Sequence, residues 1–355
     1  MSTYDIVLFD DCSAPFSPPL AERKGLGGVE WTLMLLAQAL AEDGLEVLVL
    51  GKLDGRWTHQ PICQAGWLEY GHYSRAYCER IACEALVVSR WSAVPPVAHR
   101  RVVFSMHDIP ASWMFARTRK WLDEGAPAVC VSTWLADKIG EIDWTDRGPH
   151  RRGHGRSGSW RRPVIAPMLV DECYERGTKN PNVFVYASAA VKGLPETIDT
   201  WELIREHFPE THLAELYVAT NGYDKPSDAD ALRMYELAIR PLWQLPARRV
   251  IAALRNAAGL FFVNSYPETH CLIASSALAL GCRTHVLTLD DPAALPETLC
   301  GAPLLTRDKH TFVEDFVRAY RDPDQETYVM PLEMVPDRRA DALLPAWKGV
   351  LFDAA

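Results

Sequence analysis

Four short stretches follow apolar runs and carry residue types suited to a charged, hydroxyl-bearing ligand. Gly25-Leu26-Gly27-Gly28-Val29-Glu30 opens a helical pattern. Its glycines allow close backbone approach, and the free N–H groups of a helix start favour an anion. Ser105-Met106-His107-Asp108 sets an imidazole after the run 101–105, where it can hydrogen-bond a hydroxyl or a developing charge. Ser188-Ala189-Ala190-Val191-Lys192-Gly193 offers an ammonium and backbone amides at an expected helix start, a pair suited to a diphosphate. Asn264-Ser265-Tyr266-Pro267-Glu268-Thr269-His270 places a carboxylate where another helix should open, either as its cap or as a holder of hydroxyls. Taken singly, each stretch also has a plain structural reading: a capped helix, a buried histidine, a solvated lysine.

A fifth stretch is of another kind. Residues 147–163 hold six arginines, two histidines and no acid, among Gly, Ser and Pro. Arg151, Arg152, Arg156, Arg161 and Arg162 there can pair with phosphates while Trp160 stacks on a base, or the run is a solvated loop. The chain as a whole carries a formal charge of -9, so attraction to a polyanion would have to be local.

These stretches need elements to hold them. Short runs rich in Val and Leu, apolar on both faces, recur at 6–9, 45–50, 85–89, 101–105, 128–132 and 163–166, and again at 183–187, 213–219, 239–242, 260–264 and 284–288. Helical periodicity marks 29–43, 74–84, 111–122, 133–141, 194–207, 228–238, 247–257, 270–280 and 309–320. The alternation predicts doubly wound α/β architecture, and 355 residues exceed one ordinary core. Two Rossmann-like domains facing across a cleft are expected, over 1–175 and 176–335. Residues 336–355 are expected as a tail packing back toward the first.

The amino terminus lacks a basic region ahead of a long apolar core, and no window approaches about 18 apolar residues. Nine cysteines without a C-x-x-C pair suggest reduced thiols in a cytoplasm and no structural zinc.

Together the motifs resemble retaining GT-B glycosyltransferases of the large glycosyl transferases group 1 family, which contains sucrose synthases and the phosphatidylinositol mannosyltransferases. Gly27-Gly28-Val29-Glu30 is similar to that family's GG-x-E loop, and His107-Asp108 to its active-site histidine segment. Pro163 to Asp171 resembles the stretch closing the first domain, with Met168-Leu169 where Asn-Gly is usual. Tyr186-Ala187-Ser188 with Lys192-Gly193-Leu194 looks like a variant of the diphosphate motif without its usual arginine. Ser265 to Glu268, running on to Gly281-Cys282, is similar to the E-x7-E segment, with Ser276 in place of the second glutamate.

The resemblance implies catalytic roles for His107, Glu268 and Lys192, and a nucleotide-sugar donor, UDP- or GDP-linked, held without a metal. Gly27, Gly28, Ser188, Lys192, Gly193, Glu268, Thr269 and Ser276 would bind that donor, with Arg248 or Arg249 as further cations. The arginine-rich run would serve the acceptor, for which modified DNA is a candidate. The alternative is a catalytically degenerate relative that binds a nucleotide sugar or a polyanion, a reading Ser276 favours.

Overall fold

The computed structural model describes residues 1–11, 15–53, 65–109, 112–141, 160–220, 225–300, 305–322 and 329–353. The chain divides into two units. One comprises Met1–Leu20, Gly28–Met168 and Arg338–Ala355, the other Ala21–Gly27 and Leu169–Asp337.

In the first unit β1 (Ser2–Asp10) sets the pattern. Its residues Ile6 to Phe9 are fully buried, which a strand covered by helices on both faces requires. There follow α1 (Pro18–Arg23), whose residues from Ala21 on count with the second unit, then α2 (Gly28–Glu42), β2 (Glu46–Gly51), β3 (Trp67–His72), α3 (Arg75–Cys78), β4 (Ile81–Ser89), β5 (Ala98–Met106), α4 (Ser112–Asp123), β6 (Ala128–Cys130) and α5 (Thr133–Glu141). The strands pair in parallel in the order β3-β2-β1-β4-β5-β6. The winding direction reverses between β1 and β4. At such a switch point the loops diverge and leave a crevice at the carboxyl edge.

The second unit repeats the plan with β7 (Asn180–Ala187), α6 (Leu194–His207), β8 (Glu215–Ala219), α7 (Asp228–Glu236), β9 (Arg240–Pro241), α8 (Ala247–Asn256), β10 (Ala257–Asn264), α9 (Leu272–Ala279), β11 (Arg283–Thr288), α10 (Leu295–Thr298), β12 (Leu305–Thr306) and α11 (Lys309–Arg321). Its parallel order is β12-β11-β10-β7-β8-β9, with the switch point between β7 and β10. Aromatic rings fill one side of this sheet: Trp201, Phe261, Phe312 and Phe316 meet edge to face. Last in the chain, α12 (Ala340–Phe352) belongs to the first unit and packs against α2 and β5. Leu344, Trp347, Val350 and Leu351 are its buried side.

The doubly wound α/β class is as expected, but several local assignments differ. The helix expected over 74–84 ends at Cys78, because Ile81–Ser89 extends β4 and pairs with β1 and β5. Residues 163–166 form no strand. Pro163 and Ile165 exchange backbone hydrogen bonds with Cys130, and a single bridge joins Cys130 to Val164. The edge strands β3 and β12 lie outside the apolar runs that the sequence offers as strands. Among the described residues, no helix is long and apolar enough to cross a membrane.

Candidate functional site

Each sheet carries a charged cluster at its own switch point. In the second unit, β7 ends at Ala187 and the chain makes a 3₁₀ turn, Ala190–Lys192, before Gly193 starts α6. Lys192 therefore stands ahead of the helix rather than within its first turn. From β10, the chain passes Tyr266 and Glu268 before α9 begins at Leu272, so Glu268 does not cap that helix. Instead its Oε1 accepts a hydrogen bond from Lys192 Nζ at 2.9 Å.

The same ammonium lies 4.8 Å from the centroid of the Tyr266 ring, within reach of a cation–π contact. Burial pulls the Lys192 pKa down, but the Glu268 charge and hydrogen bond outweigh it, and the net shift is upward. The two loops are also tied by their backbones, Ser265 N–H donating to the Lys192 carbonyl at 3.1 Å. Three apolar side chains on the loops after β7, β10 and β11 are exposed: Val191, Tyr266 and Leu289.

The other donor-site residues fall as follows. Ser188 N–H donates to the Ala219 carbonyl, leaving the residue half-buried just after β7. Thr269 is half-buried beside Glu268. Ser276 is buried in α9, and its hydroxyl donates to the Leu272 carbonyl one turn back at 2.9 Å. Arg248 lies 3.8 Å from Glu172 on the exposed side of α8.

The first unit holds a second cluster. Asp10 ends β1, Arg90 follows β4, His107 follows β5, and Glu30 lies in the first turn of α2. Arg90 Nη2 donates to Glu30 Oε1 at 2.7 Å, and its Nε lies 3.6 Å from Asp10 Oδ2. Burial lowers the Arg90 pKa, but Asp10, Glu30 and Asp108 together outweigh it. Arg90 adopts φ 56, a left-handed conformation held by its N–H donating to the Ser105 carbonyl at 2.7 Å. Next to it His107 is buried, with Nε2 3.1 Å from Ser105 Oγ. Burial, then the Arg90 charge, drives its pKa down to about 3, so the ring is a neutral hydrogen-bonding group at pH 7. Gly28 begins α2 and Gly27 is buried just ahead of it.

Trp160 requires a correction. Its ring is buried in the hydrophobic core of the first unit, and the indole N–H donates to Asp123 Oδ1 at 3.2 Å, so it offers no face for stacking. Arg161 is exposed and Arg162 half-buried, while Arg151, Arg152 and Arg156 lie outside the described residues. Asp10, Arg90 and Tyr266 join these clusters without being among the site residues expected from the sequence. Asp10 and Arg90 share one signal, a charged residue at the carboxyl end of a buried strand. Among the described residues, no group of three or more His, Cys, Asp or Glu gathers as a metal site would.

No protein-family model matches the sequence, and no curated protein matches it either. Solved structures do resemble the fold. WaaG, a glycosyltransferase involved in lipopolysaccharide biosynthesis, superposes with a TM-score of 0.65 at 13% identity, over 98% of this chain and 100% of that one. HepE from Anabaena, solved in complex with UDP and glucose, gives 0.66 at 11% identity over 99% and 100%. A glycosyltransferase from Rickettsia africae gives 0.61 at 10% identity over 99% of both. The likeness spans both units and shows a common α/β architecture, that of GT-B glycosyltransferases.

Proposed function

We propose, from an architecture shared with glycosyltransferases, that this chain transfers a sugar from a nucleoside diphosphate sugar to an acceptor, with retention at the anomeric carbon. The observation that carries the reading is the Lys192–Glu268 pair at the β7/β10 switch point. It brings together the cation a diphosphate needs and the carboxylate that sugar hydroxyls need.

In this reading the bond between the anomeric carbon and the diphosphate oxygen breaks, and its electron pair leaves with the phosphate. Lys192 and the amino terminus of α6, which Gly193 opens, stabilise that charge. Glu268 and Thr269 orient the sugar, while Gly27, Gly28 and neutral His107 act as hydrogen-bonding groups toward sugar or acceptor. An acceptor oxygen forms the new bond to the same carbon, and its proton passes to the departing phosphate. No divalent metal takes part, so chelation should leave turnover unchanged. The arginine-rich run favours an anionic acceptor, with hydroxymethylpyrimidine DNA the first to try. Salt-sensitive binding, lost on neutralising Arg151, Arg152, Arg161 and Arg162, would support it.

The test is the thermal unfolding midpoint against a panel of UDP- and GDP-sugars, with Lys192→Ala in parallel. A ligand at 100 times its dissociation constant adds about 2.7 kcal/mol. Stabilisation by one nucleotide family, lost in the variant, supports the reading; full turnover in Lys192→Ala sinks it. A second reading, a nucleotide-binding module without transfer, is favoured by Ser276, whose hydroxyl is committed to the Leu272 carbonyl. Ligand stabilisation without turnover on any acceptor would select it.

A further inference from the structure

Lys192 and Glu268 lie 2.9 Å apart, and the Glu268 side chain is only 8% exposed. A phosphate that recruits Lys192 therefore competes with a carboxylate already in place. Drawn toward the phosphate, the ammonium gives up part of its hold on Glu268, and a poorly hydrated carboxylate bears that loss heavily. The incoming anion also lies close to the Glu268 charge, and like charges repel strongly where water is scarce. A sugar attached to the phosphate changes this balance, because its hydroxyls donate to Glu268 as Lys192 turns away.

We infer that Glu268 makes the donor site discriminate against free nucleoside diphosphate and in favour of the same diphosphate carrying a sugar. The inference rests on the donor site proposed above. It gives Glu268 a part beyond holding sugar: once the sugar has gone, the carboxylate reclaims Lys192 and drives the nucleoside diphosphate out. Tyr266 assists by offering the ammonium a second resting contact, 4.8 Å from its ring centroid.

The test compares UDP with UDP-glucose by titration calorimetry, or GDP with GDP-mannose if that base is the one bound. Glu268→Gln, close in shape but uncharged, should bind the free diphosphate about tenfold more tightly than wild type. Its preference for the sugar-bearing form should shrink by at least as much. Glu268→Ser, a second neutral variant, should shift in the same direction, and Glu268→Asp, which keeps the charge, should stay within about twofold of wild type. Should both neutral variants that fold bind free diphosphate no more tightly than a wild type that does bind it, the inference is overturned while the donor site stands. Wild type that binds neither form overturns both.

Discussion

The α-carbon of Gly193 approaches the carbonyl oxygen of Val263 so closely that a Cβ there would overlap it. Gly193 also has φ +128, a region L side chains rarely adopt. Gly193→Ala should therefore cost at least about 2 kcal/mol and separate the Lys192 loop from the β10 loop. Gly44 has φ +94 but open space around it, so Gly44→Ala should cost about 1 kcal/mol. Paired thermal denaturation of the two variants checks the difference.

Arg90 answers for more than one carboxylate. Arg90→Met would leave Glu30 and Asp10 buried without that guanidinium, a loss of about 3–5 kcal/mol. Glu30→Gln, which leaves the contact with Asp10, should cost much less. Chemical denaturation of both variants, with the order reversed, would count against this account of the cluster.

Acid should destabilise the protein through two histidines. His107 and His285 are buried, each with its pKa lowered from 6.5 to about 3 by burial first, then by Arg90 and Arg283 respectively. The unfolded chain takes up these protons below about pH 6.5 while the folded state refuses them, so stability falls as pH drops from there toward 3. Each histidine contributes a slope approaching ~1.4 kcal/mol per pH unit. His285 packs among Phe184, Phe312 and Phe316. His285→Phe should gain about 2 kcal/mol over wild type on going from pH 7.5 to pH 5, read from denaturation at the two pH values.

Burial of Trp160 makes a prediction opposite to a stacking role. Trp160→Phe should lose about 1 kcal/mol of stability through the indole–Asp123 hydrogen bond and leave any DNA affinity unchanged. A folded Trp160→Phe that bound DNA more weakly in a filter or anisotropy assay would return the residue to the ligand surface.

Both sheets are legible in the sequence because strands buried on two faces must be apolar throughout, and Ile6–Phe9, Leu86–Val88 and Phe261–Val263 are. Where that rule lapses, so does the reading. Edge strand β3 carries Glu69 and His72, and β12 has only two residues. The site is legible in part. Lys192, Glu268 and His107 each stand just beyond a strand, and that is visible from the runs before them. Their partners are not, since Lys192 and Glu268 are separated by 76 positions and meet only because β7 and β10 are neighbours. Arg90 escapes notice because no glycine or motif marks it. Trp160 misleads because its sequence neighbours are charged, while its own ring fills the core.

The last helix, α12, belongs to the first unit although all of Leu169–Asp337 precedes it. During synthesis α12 follows the whole of the second unit, so the amino-terminal unit, though begun first, cannot complete its packing until that unit has been made. Until then the surface of α2 and β5 that α12 covers lies open, as does the helix's own side of Leu344, Trp347, Val350 and Leu351. A chain truncated before Ala340 would carry a finished carboxyl-terminal unit on an unfinished amino-terminal one, a species for proteolytic quality control to remove.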